Sequence, residues 1–243
     1  MLATEIAEAG WYSGAAGQNM QGILRAFFAE IRTRLNVRRR VYVGASSGGF
    51  AALLYSHADP GSIAVSAILQ IVLRNHYRVS VNRYRHECWR DCATIPDMDD
   101  KANFDLAALY GKGFENNVIY VQSGGDRFHM INHLAPFLAV MDEEAMSRVV
   151  FDIGFWGKLG HSGATPTPAF LPWVEAALTS EEMTADALLE TRFDLLKRDM
   201  KSSRIAAPET VTPPAPGPSA DDLRLNRPVR DYLLLATDRK EPV

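Results

Sequence analysis

Val41-Tyr42-Val43-Gly44-Ala45-Ser46-Ser47-Gly48-Gly49-Phe50-Ala51-Ala52-Leu53-Leu54 joins an apolar run of strand length to a helical one through a turn of small residues. Gly-x-Ser-x-Gly lies at its centre, with Ser46 in the middle. A serine forced onto a tight strand-to-helix turn has strained backbone angles, and glycines two positions away let such a turn close. The helix that follows directs its free N–H groups and positive dipole end toward the same place. Ser46 is therefore the candidate nucleophile, and the amide of Ser47 the candidate oxyanion donor. A glycine-rich phosphate-binding turn is the alternative without acyl chemistry.

Outward from this segment the chain alternates. Gln18 to Leu35 carries Met20, Ile23, Leu24, Phe27, Phe28, Ile31 and Leu35 at helical spacing. Phe50 to His57 continues the central helix, and Asp59-Pro60-Gly61 makes a turn. Ile63 to Val72 reads as a strand buried on both faces, and Val118 to Gln122 and Arg148 to Ile153 as two more. Leu134 to Met141 and Pro168 to Leu178 read as helices, followed by Ser180 to Lys201 with a Thr179/Ser180 cap. Strand and helix in turn predict an α/β fold, a three-layer α/β/α arrangement on a mostly parallel sheet of about four strands. The expected organisation is one domain over 1–201, with 74–112 as a cap-like insertion. The remainder, 202–243, is a Pro-rich, disordered tail with at most a short docking segment at Asp231 to Thr237.

Composition narrows the classes. The 243 residues are 47% apolar and 23% charged with a formal net charge of -3, ordinary for a globular protein. No overall basic excess points to nucleic acid, and Arg38-Arg39-Arg40 reads as a solvated strand entrance. The longest apolar stretch, Ser62 to Leu73, is too short for a bilayer, and Met1 to Gly10 lacks the pattern of a signal peptide. With only Cys88 and Cys92, no disulfide framework arises, and a cytoplasmic location is expected.

A hydroxyl needs a base, which near neutral pH is best a neutral imidazole, and that imidazole needs a carboxylate to fix its tautomer. Asp126 follows Val-Ile-Tyr-Val-Gln after Ser-Gly-Gly, and His161 follows Val-Val-Phe-Asp-Ile in Phe-Trp-Gly-Lys-Leu-Gly-His. Both fall beyond the carboxyl ends of strands, in the order Ser, Asp, His. Asp97, Asp99 and Asp100 lie in the irregular insertion, Asp152 lies within a strand, and His57 is at the far end of the central helix. His129 and His133 are one helical turn apart but lack an intervening Glu and an evident third ligand, so no metal is expected there. His86, Cys88 and Cys92 lack a Cys-x-x-Cys pair and read as half-buried side chains.

The elbow Gly-Ala-Ser-Ser-Gly-Gly-Phe-Ala-Ala-Leu, the Gly-Gly-Asp after a later strand and the closing Trp-Gly-x-x-Gly-His together resemble the α/β-hydrolase superfamily. The resemblance covers roughly Gly10 to Leu178 and lies nearest to poorly characterised bacterial members. It implies a serine hydrolase that cleaves a carboxylic ester of a small-molecule acyl substrate through an acyl-enzyme, with no cofactor and no metal. Acyl transfer or peptide cleavage by the same triad is the neighbouring alternative, and a catalytically impaired scaffold a further one. Trp11, Tyr12, Trp89 and Trp156 are the candidate substrate-binding aromatics. Arg74, Arg78, Arg83 and Arg85 read as a solvated helix face, with an anionic substrate as the alternative. Superfamily members usually carry several strands before the elbow, whereas the residues before Gly44 read mostly as one helix. The expectation is a sheet shortened on its N-terminal side, its open edge covered by a second copy or another partner.

Overall fold

The computed structural model describes residues 10–156, 159–161 and 167–205. Helix α1, Met20–Leu35, begins where the Asn19 side chain accepts the Gly22 N–H, and ends at Asn36 in the left-handed region. Strand β1, Val41–Ala45, runs into α2, Ser47–His57. Strands β2, Ile63–Ala67, β3, Asn117–Ser123, and β4, Val149–Gly154, complete a sheet ordered β1-β2-β3-β4 with every pair parallel.

The register explains the layers. Val43, Val65, Ile119 and Val150 are neighbours in one row, and Tyr42, Ala64, Val118 and Val149 in the next. Because strand side chains alternate, these rows face opposite ways. The first row faces a core with Trp173, Ala176 and Ala177 of helix α9, Thr167–Thr179, and with Leu188 and Leu195 of α10, Ala185–Ile205. The second row packs against Phe50, Leu53 and Leu54 of α2 and the elements that follow β2. Helices thus cover both faces, as a parallel sheet requires.

The 74–112 stretch, expected as a cap-like insertion, contributes residues to the core beside α2. After a single 3-10 turn at Leu73–Asn75 it forms α3, Arg78–Cys88, α4, Pro96–Asp99, and α5, Leu106–Tyr110. Val81, Tyr84, Trp89, Met98, Phe104 and Tyr110 from this stretch lie in the same core as α2. Cys88 and Cys92 are buried free thiols there.

Three boundaries differ from the sequence reading. Strand β2 stops at Ala67 because Ile68 takes a positive φ of 42°, which turns the still-buried Leu69, Ile71 and Val72 away from the sheet. The helix expected from Leu134 begins earlier, as α6, Arg127–His129, and passes through a π turn, Met130–Leu134, into α7, Ala135–Leu138. A further short helix, α8, Glu143–Met146, leads into β4. Ser180 closes α9, its N–H donating to Ala176 O, while the Thr184 hydroxyl accepts the Ala187 N–H at the start of α10. The contacts divide the chain after Asp199, and every core and site residue named here lies in the first unit. Helix α10 continues to Ile205; the rest of the Pro-rich tail, with Asp231 to Thr237, lies outside the described residues. No described helix is long and apolar enough to cross a membrane.

Candidate active site

Four parallel strands bring their carboxyl ends to one edge of the sheet, where ligand sites of open α/β folds form. Ser46 follows β1 there at φ 54° and ψ -123°, a conformation costly for a residue with a Cβ. The turn is fixed on both sides: Ser46 N–H donates to Ala67 O at 2.9 Å and its carbonyl accepts Phe50 N–H at 3.1 Å. A Cβ on Gly44 would lie 2.1 Å from Gly48 O, and one on Gly49 2.7 Å from Leu69 Cβ. A Cβ on Gly48 would meet nothing within 4 Å. The steric demand expected at Gly48 thus falls on Gly44 and Gly49. Ser47 opens α2, in the turn whose backbone N–H groups have no intrahelical acceptor.

Asp126 follows β3 and is 1% exposed. Its N–H donates to Ser123 O, and its Oδ1 accepts the His129 N–H at 3.2 Å, capping α6. The other oxygen, Oδ2, lies 3.2 Å from His161 Nδ1, and His161 Nε2 lies 3.1 Å from Ser46 Oγ. The pattern that satisfies all three groups places the proton on Nδ1, donating to Asp126, and leaves Nε2 to accept from Ser46. Gly160 N–H donates to Gly125 O at 3.1 Å, which ties the segment carrying His161 to the turn carrying Asp126. His161 is therefore in hydrogen-bond reach of both Ser46 and Asp126, although the three are far apart along the chain.

A second imidazole shares the carboxylate. His129 is fully buried and stacks on His161 with ring centroids 4.3 Å apart and planes at 17°. Its Nδ1 is 2.9 Å from Asp126 Oδ2 but off axis for a hydrogen bond. Burial, first of all, holds His129 below the usual imidazole range, so the stacked ring is neutral beside His161. His133 and His76 complete a wall of rings. Burial and then neighbouring imidazoles lower His133 to about 2 and His76 to about 4, the latter partly offset by Asp126.

Sequence reasoning missed Gln70. This 1% exposed side chain lies just beyond β2, and its Nε2 donates to Ser46 Oγ at 3.2 Å and to His129 Nε2 at 3.1 Å. Its Oε1 accepts the Trp11 Nε1–H at 3.1 Å. The available signal was a lone amide in the apolar run Ala67-Ile68-Leu69-Gln70-Ile71-Val72, immediately after a strand's carboxyl end.

The four aromatics expected to bind substrate are placed differently from one another. Trp11 is 2% exposed and supports Gln70. Tyr12 is exposed, and its carbonyl accepts the Tyr55 hydroxyl. Trp89 is buried and meets Phe104 edge-on at 5.6 Å. Trp156 packs on the opposite face of the sheet, beside Trp173. Nearer the candidate nucleophile, Tyr77 stacks on Phe128 at 4.0 Å, next to His76 and His129.

The third ligand that His129 and His133 lacked in the sequence arrives from His76, with one ring nitrogen of each within 4.8 Å of the others. The chemistry of these nitrogens opposes a metal. His133 Nδ1 accepts the Ile71 N–H, which puts the ring proton on the nitrogen that would have to ligate, and His129 Nε2 is taken by Gln70. His86, Cys88 and Cys92 do not gather into a ligand set among the described residues. Comparison of the sequence with known protein families and with curated proteins finds no match.

Proposed function

We propose that this protein is a serine hydrolase of the α/β-hydrolase type that cleaves a carboxylic ester or related acyl bond of a small molecule. The observation that carries the reading is the unbroken set of contacts from Ser46 Oγ through the His161 ring to the buried Asp126, built on a serine with positive φ. A strained serine between a parallel strand and a helix has few purely structural reasons to exist, and a buried carboxylate facing an imidazole fewer still.

The chemistry follows from the atoms. His161 Nε2 takes the Ser46 proton as Oγ attacks the acyl carbonyl, while Asp126 holds the ring and balances the imidazolium. The oxyanion forms beside the start of α2, where the Ser47 N–H is the nearest free backbone donor in the sequence. His161 then gives its proton to the leaving alcohol, water repeats the sequence on the acyl-enzyme, and the acid departs. No cofactor takes part in these steps.

Turnover of p-nitrophenyl esters of graded chain length tests this reading. Ser46→Ala should abolish turnover, and Asp126→Asn should lower kcat by about 10⁴ with KM little changed. Wild-type-like hydrolysis by Ser46→Ala would remove the proposal. Wild-type-like hydrolysis by Asp126→Asn would point to another acid.

A further inference from the structure

On the sheet face opposite α2, an open cleft of about 620 Å³ lies between β4, α9 and α10. Its walls include Trp156, Trp173, Leu189, Phe193 and Leu196. The last three repeat along one side of α10 and are 47%, 58% and 43% exposed, so among the described residues this apolar stripe covers no core of its own. Among these walls lies Arg192, whose Nε and Nη1 are shielded from solvent yet have no hydrogen-bond partner among the described residues. Its Cζ sits 5.6 Å from the centroid of the Trp173 ring. The carboxylate in the cleft, Asp152, accepts the Trp173 Nε1–H at 2.5 Å and makes no ion pair with Arg192 among the described residues.

We propose that this cleft binds an amphipathic anion, a carboxylate on an extended apolar body such as a fatty acid, with the carboxylate on Arg192 and the body along the aromatic walls and the α10 stripe. Shielded guanidinium N–H groups without an acceptor are costly, and an incoming carboxylate supplies charge-assisted hydrogen bonds in a place where water competes poorly. The apolar surroundings select for a body with no further polar groups, and the volume is that of an ordinary small-molecule site. Trp173, anchored by Asp152, gives the guanidinium a flat surface to rest on while its N–H groups face the ligand. A neutral amphiphile of equal length satisfies the walls but not Arg192, and a cationic one meets repulsion. The site is independent of the proposed ester chemistry, since Ser46 lies at the carboxyl edge of the sheet and contributes nothing to this cleft.

The test is titration of the full chain with dodecanoate below its micellar range, followed by calorimetry and tryptophan fluorescence, against dodecanol and dodecyltrimethylammonium. The expected result is saturable binding of one dodecanoate per chain, at least tenfold tighter than either control. Arg192→Gln should erase the preference for the anion, and Arg192→Lys should retain part of it. Prior labelling of Ser46 with a fluorophosphonate should leave the affinity unchanged. Equal binding of dodecanol would overturn the proposal, as would an Arg192→Gln protein that keeps the preference. Loss of binding after Ser46 labelling would place the ligand at the other site and overturn it too. So would the absence of saturable binding. The comparison of the three amphiphiles on the wild-type protein stands whether or not the variants fold.

Discussion

Gln70 joins the candidate nucleophile to the buried histidines, and its position explains why Trp11 is buried rather than open to substrate. The indole N–H fixes Oε1, so the two amide hydrogens must point the other way, one to Ser46 Oγ and one to His129 Nε2. That arrangement limits where Oγ can rest and keeps it facing His161. In the proposed hydrolase, Gln70→Ala should lower kcat by about ten- to a hundredfold with little change in KM, since misplacement of a reacting group costs on that order. Thermal unfolding must show the variant folded, because the Trp11 indole loses its acceptor at a cost of about 1–3 kcal/mol. An unchanged kcat in a folded Gln70→Ala protein would remove Gln70 from the account. Ser46, Asp126 and His161 were legible because each stands at a position that chemistry dictates, after a strand and beside glycine. Gln70 was not, since only the fold decides what a lone amide will touch.

At the scale of elements, the parallel sheet does the positioning. Each of the four strands delivers its exit to the same edge, so Ser46, Gln70, Asp126 and the segment before His161 converge although they are distant along the chain. The four strands and the central helix were readable because apolar runs of strand length bounded by glycine and helical apolar spacing are strong local signals. The ends of elements were less so. Ile68 leaves the sheet by adopting a positive φ that its β-branched side chain gave no reason to expect, and Ser180 looked like a helix start but serves a helix end. Strand order also sets energetics. Ile119 is fully buried in β3, whereas Val43, in the same row of the register, is 47% exposed on β1. Val43 lies on an edge whose outer backbone pairs with no strand among the described residues. Urea unfolding should therefore show Ile119→Ala losing about 2–5 kcal/mol and Val43→Ala within about 0.5 kcal/mol of wild type. Similar losses at both positions would contradict the order β1-β2-β3-β4 with β1 outermost.

Across the whole molecule, two cores sandwich the sheet, and the one on the α2 side carries an unusual load of buried imidazole. His76, His129 and His133 all have their pKa values lowered, chiefly by burial. The unfolded chain, with histidines near 6.5, then binds more protons than the native one as pH falls below that value. Stability from these rings is fully present above about pH 6.5 and is lost as pH falls toward the folded values, which for His76 is about 4. Each fully buried histidine contributes up to about 1.4 kcal/mol per pH unit in that window, and the partly exposed His76 less. Melting temperature should drop steeply between pH 6.5 and 5. His133→Asn, which keeps an acceptor for the Ile71 N–H, should flatten that slope by one proton's worth. A slope unchanged in this variant would mean that His133 is not held neutral.

In the proposed mechanism His161 and Asp126 make Ser46 nucleophilic. Incubating the full chain with a fluorophosphonate and locating the adduct by mass spectrometry measures this most directly. The expected result is one adduct per chain, on Ser46, that disappears in Ser46→Ala and forms at least a hundredfold more slowly in His161→Ala. An unlabelled wild-type protein, or an adduct on Ser46 that forms just as fast without the imidazole, would contradict it.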